Sequence, residues 1–177
     1  MSLRADLRGA TADDHNRLDA VFGQYDLADA AAYRRFLRAH ARALQPVETA
    51  IAGSAATHAW QPRVPLIAAD LAALGEPMPE AMTIDPPGAA RLWGMRYVVE
   101  GSRLGGAMLA RQVGAGLPAA YLGAQHGKGE WRGFLEALEG AGDAGGAEWR
   151  AEAGGGAQAA FALFAASAAQ EATDGPR

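Results

Sequence analysis

The chain contains no cysteine. Disulfides, thiolate metal ligands, iron–sulfur clusters and cysteine nucleophiles are therefore excluded. Aromatic residues make up only 7% of the sequence, and β-branched residues are sparse, which disfavours extended sheets. Positive charge is in deficit, with 16 Lys and Arg against 20 Asp and Glu and a net charge of −4. Wholesale nucleic-acid binding is disfavoured on that ground. Long apolar runs are missing too. The longest, Ala157 to Ala169, is broken by Gln158 and falls short of the roughly 20 residues that span a bilayer. Met1 to Arg8 is charged along its length and does not read as a signal peptide. The expectation is a soluble, cytoplasmic protein that binds neither nucleic acid nor membrane.

What the sequence does have is alanine and helical periodicity. Half of the 177 residues are hydrophobic, enough for one domain with a substantial core. Tyr33, Phe36, Leu37, His40, Leu44, Val47 and Ile51 recur at helical spacing, with Asp29 as N-cap and Gly53 as stop. Thr57 to Pro65 reads as a loop, Leu66 to Leu74 as a short helix, and Glu76 to Pro87 as a proline-rich loop. A long helix follows from about Gly88 to Gly114. A short helix then opens near Pro118, and another covers Glu130 to Leu138 with Trp131, Phe134, Leu135 and Leu138 on one face. Gly140 to Gly146 reads as a loop, and Ala147 to about Glu171 as a last helix that Gly154 to Gly156 could kink. The fold class is all-α and single-domain.

Two segments carry chemistry. The long helix holds Gly101, Gly105 and Gly106 in its interior, each costing about 1 kcal/mol against alanine. Tyr97, Gly101, Leu104, Gly105 and Met108 form one stripe, at offsets of 4, 7, 8 and 11 from Tyr97. Two readings account for it: close packing of a second helix, or a planar ligand lying against bare backbone. The second segment is Arg8 to Asp19. On one continuous helix, Arg8 and His15 would share a face about 10 Å apart along the axis, the reach from a haem iron to its propionates. Thr11 followed by Asp14 also resembles an N-cap, which would start a new helix after Arg8, and a lone histidine is more often structural or exposed than a ligand. His40 reads as a hydrogen-bonded core residue; His58 and His126 read as exposed loop residues.

Together these segments resemble the bacterial haem oxygenase family, of the phytochrome-associated type, over most of the chain. The resemblance rests on Thr11-x-x-x-His15, on Tyr-Val-Val-Glu-Gly-Ser-Arg-Leu-Gly-Gly from Tyr97 to Gly106, on Gly127 to Leu135, and on Phe161 and Phe164 in the last helix. It implies a haem oxygenase-like helical bundle over residues 1–172, with a flexible tail at 173–177. It implies haem b as substrate and cofactor at once, held between the first helix and the glycine-rich helix, with His15 as the iron ligand. Arg8 and Tyr97 match positions that contact the propionates, and Gly101, Gly105, Gly106 and Met108 complete the haem-binding set. Gly101, Ser102 and Gly105 form the implied catalytic segment, where the backbone approaches dioxygen. The implied reaction is oxidative cleavage of haem to biliverdin, carbon monoxide and ferrous iron, with electrons from a ferredoxin or a flavin-dependent reductase and a bacterial phytochrome as candidate recipient of the product. A neutral histidine leaves the sixth iron position open, and ordered water can deliver protons there.

This sequence departs from the family pattern at Arg103, where Thr or Asn is more usual. The favoured reading places Arg103 at the surface, alone or paired with Glu100; the other takes it to a propionate at the pocket mouth. The last helix has no Lys or Arg between Glu152 and Gln170, which leaves the biliverdin isomer open, with the alpha isomer preferred by similarity. Three rivals stand beside the enzyme: a non-catalytic haem or tetrapyrrole binder of the same fold, a helical di-iron protein, and a structural interaction protein. No Glu has a His three residues later, so the ligand motif of the di-iron class is missing.

Overall fold

In the computed structural model, which describes residues 2–54 and 60–174, the described residues form seven helices and no strand. These are α1 (Leu3–Ala10), α2 (Ala12–Phe22), α3 (Ala30–Ala52), α4 (Val64–Ala73), α5 (Ala89–Ala110), α6 (Ala120–Gly123) and α7 (Glu130–Asp174). His58 lies outside the described residues. Helix α7 is the spine, with α1, α2, α3 and α5 all packed on it. Its alanines Ala153, Ala157 and Ala160 are fully buried, and they join Phe36, Leu37 and Leu44 of α3 and Met95 and Val99 of α5 in one core.

Helix α3 begins and ends where its caps dictate. Asp29 accepts from the Ala32 amide at 2.8 Å, and Gly53 closes the far end. Pro46 lies inside this helix and has no N–H to give to the carbonyl of Arg42. The Met82 amide bonds that freed carbonyl instead, at 3.0 Å, and Gln45 reaches Pro79 O. The proline-rich 76–87 segment is thus strapped across α3.

Three N-termini are capped by carboxylates from other helices. Glu139 accepts from the amides of Leu3 and Arg4, Glu48 from those of Arg63 and Val64, and Asp70 from those of Ala120 and Tyr121. Each meets the positive end of a helix with two charge-assisted bonds.

The observed helix boundaries differ in places from those read in the sequence. Residues 140–145 are helical, and the break falls at Gly146, whose φ of 74° and ψ of −166° only glycine adopts readily. Helix survives there because Leu3 packs against Gly142 and Glu139 caps α1, so tertiary contact overrides low propensity. Gly154 to Gly156 lie in regular helix, and the helix continues through Thr173 and Asp174. At the other end the helix is interrupted at Thr11, so Arg8 and His15 do not share one helix. The Thr11 hydroxyl does not cap α2; it donates back to Leu7 O at 2.8 Å.

Candidate functional site

The structure separates the glycines of α5 into two kinds. A Cβ on Gly94 would collide with Ala153 O, and a Cβ on Gly156 with Arg91 O. These two glycines let α5 and α7 cross at backbone contact. Gly106 belongs with them: it is buried, and a Cβ would lie 2.7 Å from Leu122 O of α6. It faces away from the stripe on which the sequence placed a ligand, and close packing accounts for it.

Gly105 and Gly101 are different. Among the described residues, a Cβ on Gly105 would meet nothing within 4 Å, and one on Gly101 only the Trp131 ring, at 3.7 Å. Beside them Leu104 and Met108 are 52% and 67% exposed. Tyr97 closes one end of the stripe, its ring tilted against Trp131 at 6.1 Å between centroids. The face is apolar, nearly without side chains at its centre, and open.

The back of the same helix is held firmly. The buried Arg63 guanidinium donates to Val99 O and to Ser102 Oγ, both at 2.7 Å, and Ser102 donates in turn to Val99 O. Arg63 also stands over the Tyr121 ring at 5.0 Å. Arg103 is buried, contrary to the surface reading. Its Nε lies 3.3 Å from Glu100 Oε2 and its Nη2 donates to Gln61 O, so it pairs with Glu100 in the interior and is tied to the 60–63 segment. Burial lowers its pKa, with Arg63 adding to the effect. His126 is not exposed either. Its side chain is 9% accessible, and its Nε2 donates to Glu100 O at 2.9 Å. His40 is a core residue as expected, with Nδ1 2.8 Å from the Tyr121 hydroxyl.

His15 lies on α2, a helix that buries none of its residues fully. The imidazole side chain is 61% exposed, its Nδ1 is 3.0 Å from Asp19 Oδ2, and its edge meets Phe161 of α7 at 5.8 Å. Helices α2 and α5 both pack on α7, but they do not form a packed pair with one another. Helix α1 brings two cations. Arg4 and Arg8 are one turn apart, exposed, and close enough to Tyr97 for both to oppose the rise that burial gives the Tyr97 phenol pKa. Neither guanidinium has a carboxylate partner among the described residues.

Several of these residues were not identified by sequence reasoning. Asp19 and Arg4 were legible as i, i+4 neighbours of His15 and Arg8. Trp131 was read only as part of a helical face. Arg63, in a segment read as loop, gave no local signal.

The donor set fits haem. The His15 imidazole, the apolar face nearly bare of side chains at its centre and the two arginines without a carboxylate partner would offer an iron ligand, a flat contact and partners for carboxylates. Among the described residues no cluster of three His, Asp or Glu could hold a metal ion. The cleft of 290 Å³ between α1 and α7 is a separate feature. Its cation, Arg150, is engaged by Asp6, Asp143 and Glu139.

No protein-family model matches the chain. A protein named heme oxygenase from Xanthomonas campestris pv. campestris (strain 8004) is 39% identical over 90 residues, covering 48% of this chain and 54% of that protein. The match thus spans about half the length of the relative. Among solved structures, the heme oxygenase of Neisseria meningitidis, determined with NO and CO bound, superposes with a TM-score of 0.79 at 24% identity, over 97% of this chain and 92% of the other. The all-α bundle therefore has the haem oxygenase fold.

Proposed function

We propose that this protein is a haem oxygenase of the bacterial family. It would take haem b between α2 and α5 and cleave it oxidatively to biliverdin, carbon monoxide and ferrous iron with dioxygen and external electrons. The observation that carries the reading is the open face at Gly101 and Gly105 on a helix whose other glycines are closed by backbone contact.

Each residue has a definite task in this reading. Asp19 accepts the Nδ1 proton of His15, which fixes the tautomer and leaves Nε2 as the donor atom for iron. Gly101 and Gly105 let the α5 backbone come within van der Waals distance of a flat ligand, with Leu104 and Met108 covering its apolar surface. Arg4, Arg8 and the Tyr97 hydroxyl offer donors to propionates. Ser102, held by Arg63 and Val99 O, cannot swing freely into the groove. Bound haem supplies the redox-active iron and the carbon skeleton that is oxidised.

The electron donor in this reading is a ferredoxin or a flavin-dependent reductase. A cytoplasmic location belongs to the same reading, and delivery of biliverdin to a bacterial phytochrome rests on resemblance. Separately, among the described residues no helix is long and apolar enough to cross a membrane.

The test is titration with haem followed by reductant in air. A Soret band on titration and bilin absorbance after reduction are expected. A Soret band without bilin would identify a haem-binding protein that does not turn over. No spectral change would overturn the reading.

A further inference from the structure

The carbonyl of Glu100 is the last one before Gly101. A regular helix already offers it the amide four residues on, yet it takes a second donor. His126, from the connection between α6 and α7, places Nε2 2.9 Å from that oxygen. A carbonyl only accepts, so Nε2 carries the proton. The other ring nitrogen, Nδ1, lies 3.5 Å from Oε2 of the same Glu100. One imidazole thus meets both the main chain and the side chain of the residue preceding the glycine.

The same ring fixes a second wall of the groove. His126 packs tilted on Trp131, with centroids 5.5 Å apart. Among the described residues Trp131 alone comes within 4 Å of the Cβ position of Gly101, and it also packs on Tyr97. Glu100 is braced from its other side by Arg103, which is tied to Gln61 O. Glycine at 101 and 105 leaves this part of α5 with the weakest intrinsic helix preference, so outside support matters most there.

We propose that His126 is a positioning residue for the Gly101 step of α5 and for Trp131. The α6–α7 connection then sets how a flat ligand lies on the open face. This rests on the haem oxygenase reading for its consequence, but the clamp itself belongs to the ligand-free chain.

The experiment compares the full chain with His126→Leu and His126→Gln. Amide hydrogen exchange across residues 101–106 is measured without haem, and the biliverdin isomer ratio is measured on turnover. His126→Leu is expected to speed exchange in that segment about fivefold, the factor one hydrogen bond contributes, while α3 keeps its protection. It should also broaden the isomer ratio with the Soret band unchanged. Glutamine, whose Nε2 can reach the same carbonyl, should restore both. Unchanged exchange in His126→Leu overturns the proposal. So does faster exchange spread equally over α3 and α5, or a failure of glutamine to restore the segment. Exchange needs no haem, so a wild-type chain that takes up no haem would sink the functional reading and leave the clamp to be decided by exchange alone.

Discussion

Asp19 Oδ2 lies 3.0 Å from His15 Nδ1, one turn further along α2. On an exposed helix such a pair contributes little to stability, about 0.5 kcal/mol or less. In the proposed haem site its value would lie in selecting which ring nitrogen is left for the iron. His15→Ala should abolish the Soret band on haem titration and most turnover. Asp19→Asn should keep the band but weaken haem binding about tenfold, the usual cost of removing a carboxylate behind a histidine ligand. Identical titrations for Asp19→Asn and wild type would reduce the contact to a surface ion pair. A normal Soret band in His15→Ala would remove the ligand assignment.

The two kinds of glycine on α5 predict opposite phenotypes. Gly94→Ala forces a methyl into Ala153 O and should cost on the order of 3 kcal/mol in folding stability, read as a lowered urea midpoint. Gly105→Leu meets open space, so the urea midpoint should hold within about 1 kcal/mol of wild type. Its side chain would stand in the groove, and haem uptake or turnover should be lost. Wild-type turnover in Gly105→Leu would show that the open face is not used.

These glycines also mark the limit of what the sequence reveals. The stripe from Tyr97 to Met108 was readable because helical spacing is a local property. Whether a given glycine meets a backbone or open space depends on where α7 crosses, which no local pattern encodes. Helix α3 was legible to the residue because Asp29 and Gly53 are its own caps. The carboxylates that cap α1, α4 and α6 come from Glu139, Glu48 and Asp70 on other helices, so those starts could be placed only approximately. Arg103 and His126 were assigned to the surface on the rule that charged and loop side chains are solvated. Their burial follows from meeting each other at Glu100, a tertiary event.

Arg4 was overlooked beside Arg8, and the two together make a prediction that Arg8 alone does not. Both influence the Tyr97 phenol, so both should attract the carboxylates of bound haem. Each Arg→Gln variant should weaken haem binding about threefold at low salt, and the loss should shrink at high ionic strength because these groups are exposed and screened. Haem titrations at two salt concentrations measure it. A salt-independent loss would point to a packing role, and no loss in the double variant would place the propionates elsewhere.

His40 gives the chain a pH dependence of definite sign. Burial, aided by the positive charge of Arg63, brings its pKa from 6.5 down to about 3. Its ring contacts Phe22, Phe36 and Phe164, surroundings that give an added proton no partner. The folded chain therefore keeps this imidazole neutral where the unfolded chain already binds a proton. Between those two values the unfolded state holds more protons, so stability falls as the pH is lowered from 6.5 towards 3. Glu48 acts in the opposite direction, since burial raises its carboxyl pKa and acid relieves that cost. Comparing wild type with His40→Phe cancels the Glu48 contribution. At pH 7 the variant should be less stable by about 1 kcal/mol, having lost the bond to the Tyr121 hydroxyl. Urea midpoints at pH 7, 6, 5 and 4 should then show the difference narrowing by pH 6 and reversing in favour of the variant at pH 5 and 4. Parallel curves for the two proteins would mean that His40 takes up its proton while the chain is still folded, in conflict with an imidazole enclosed by three phenyl rings.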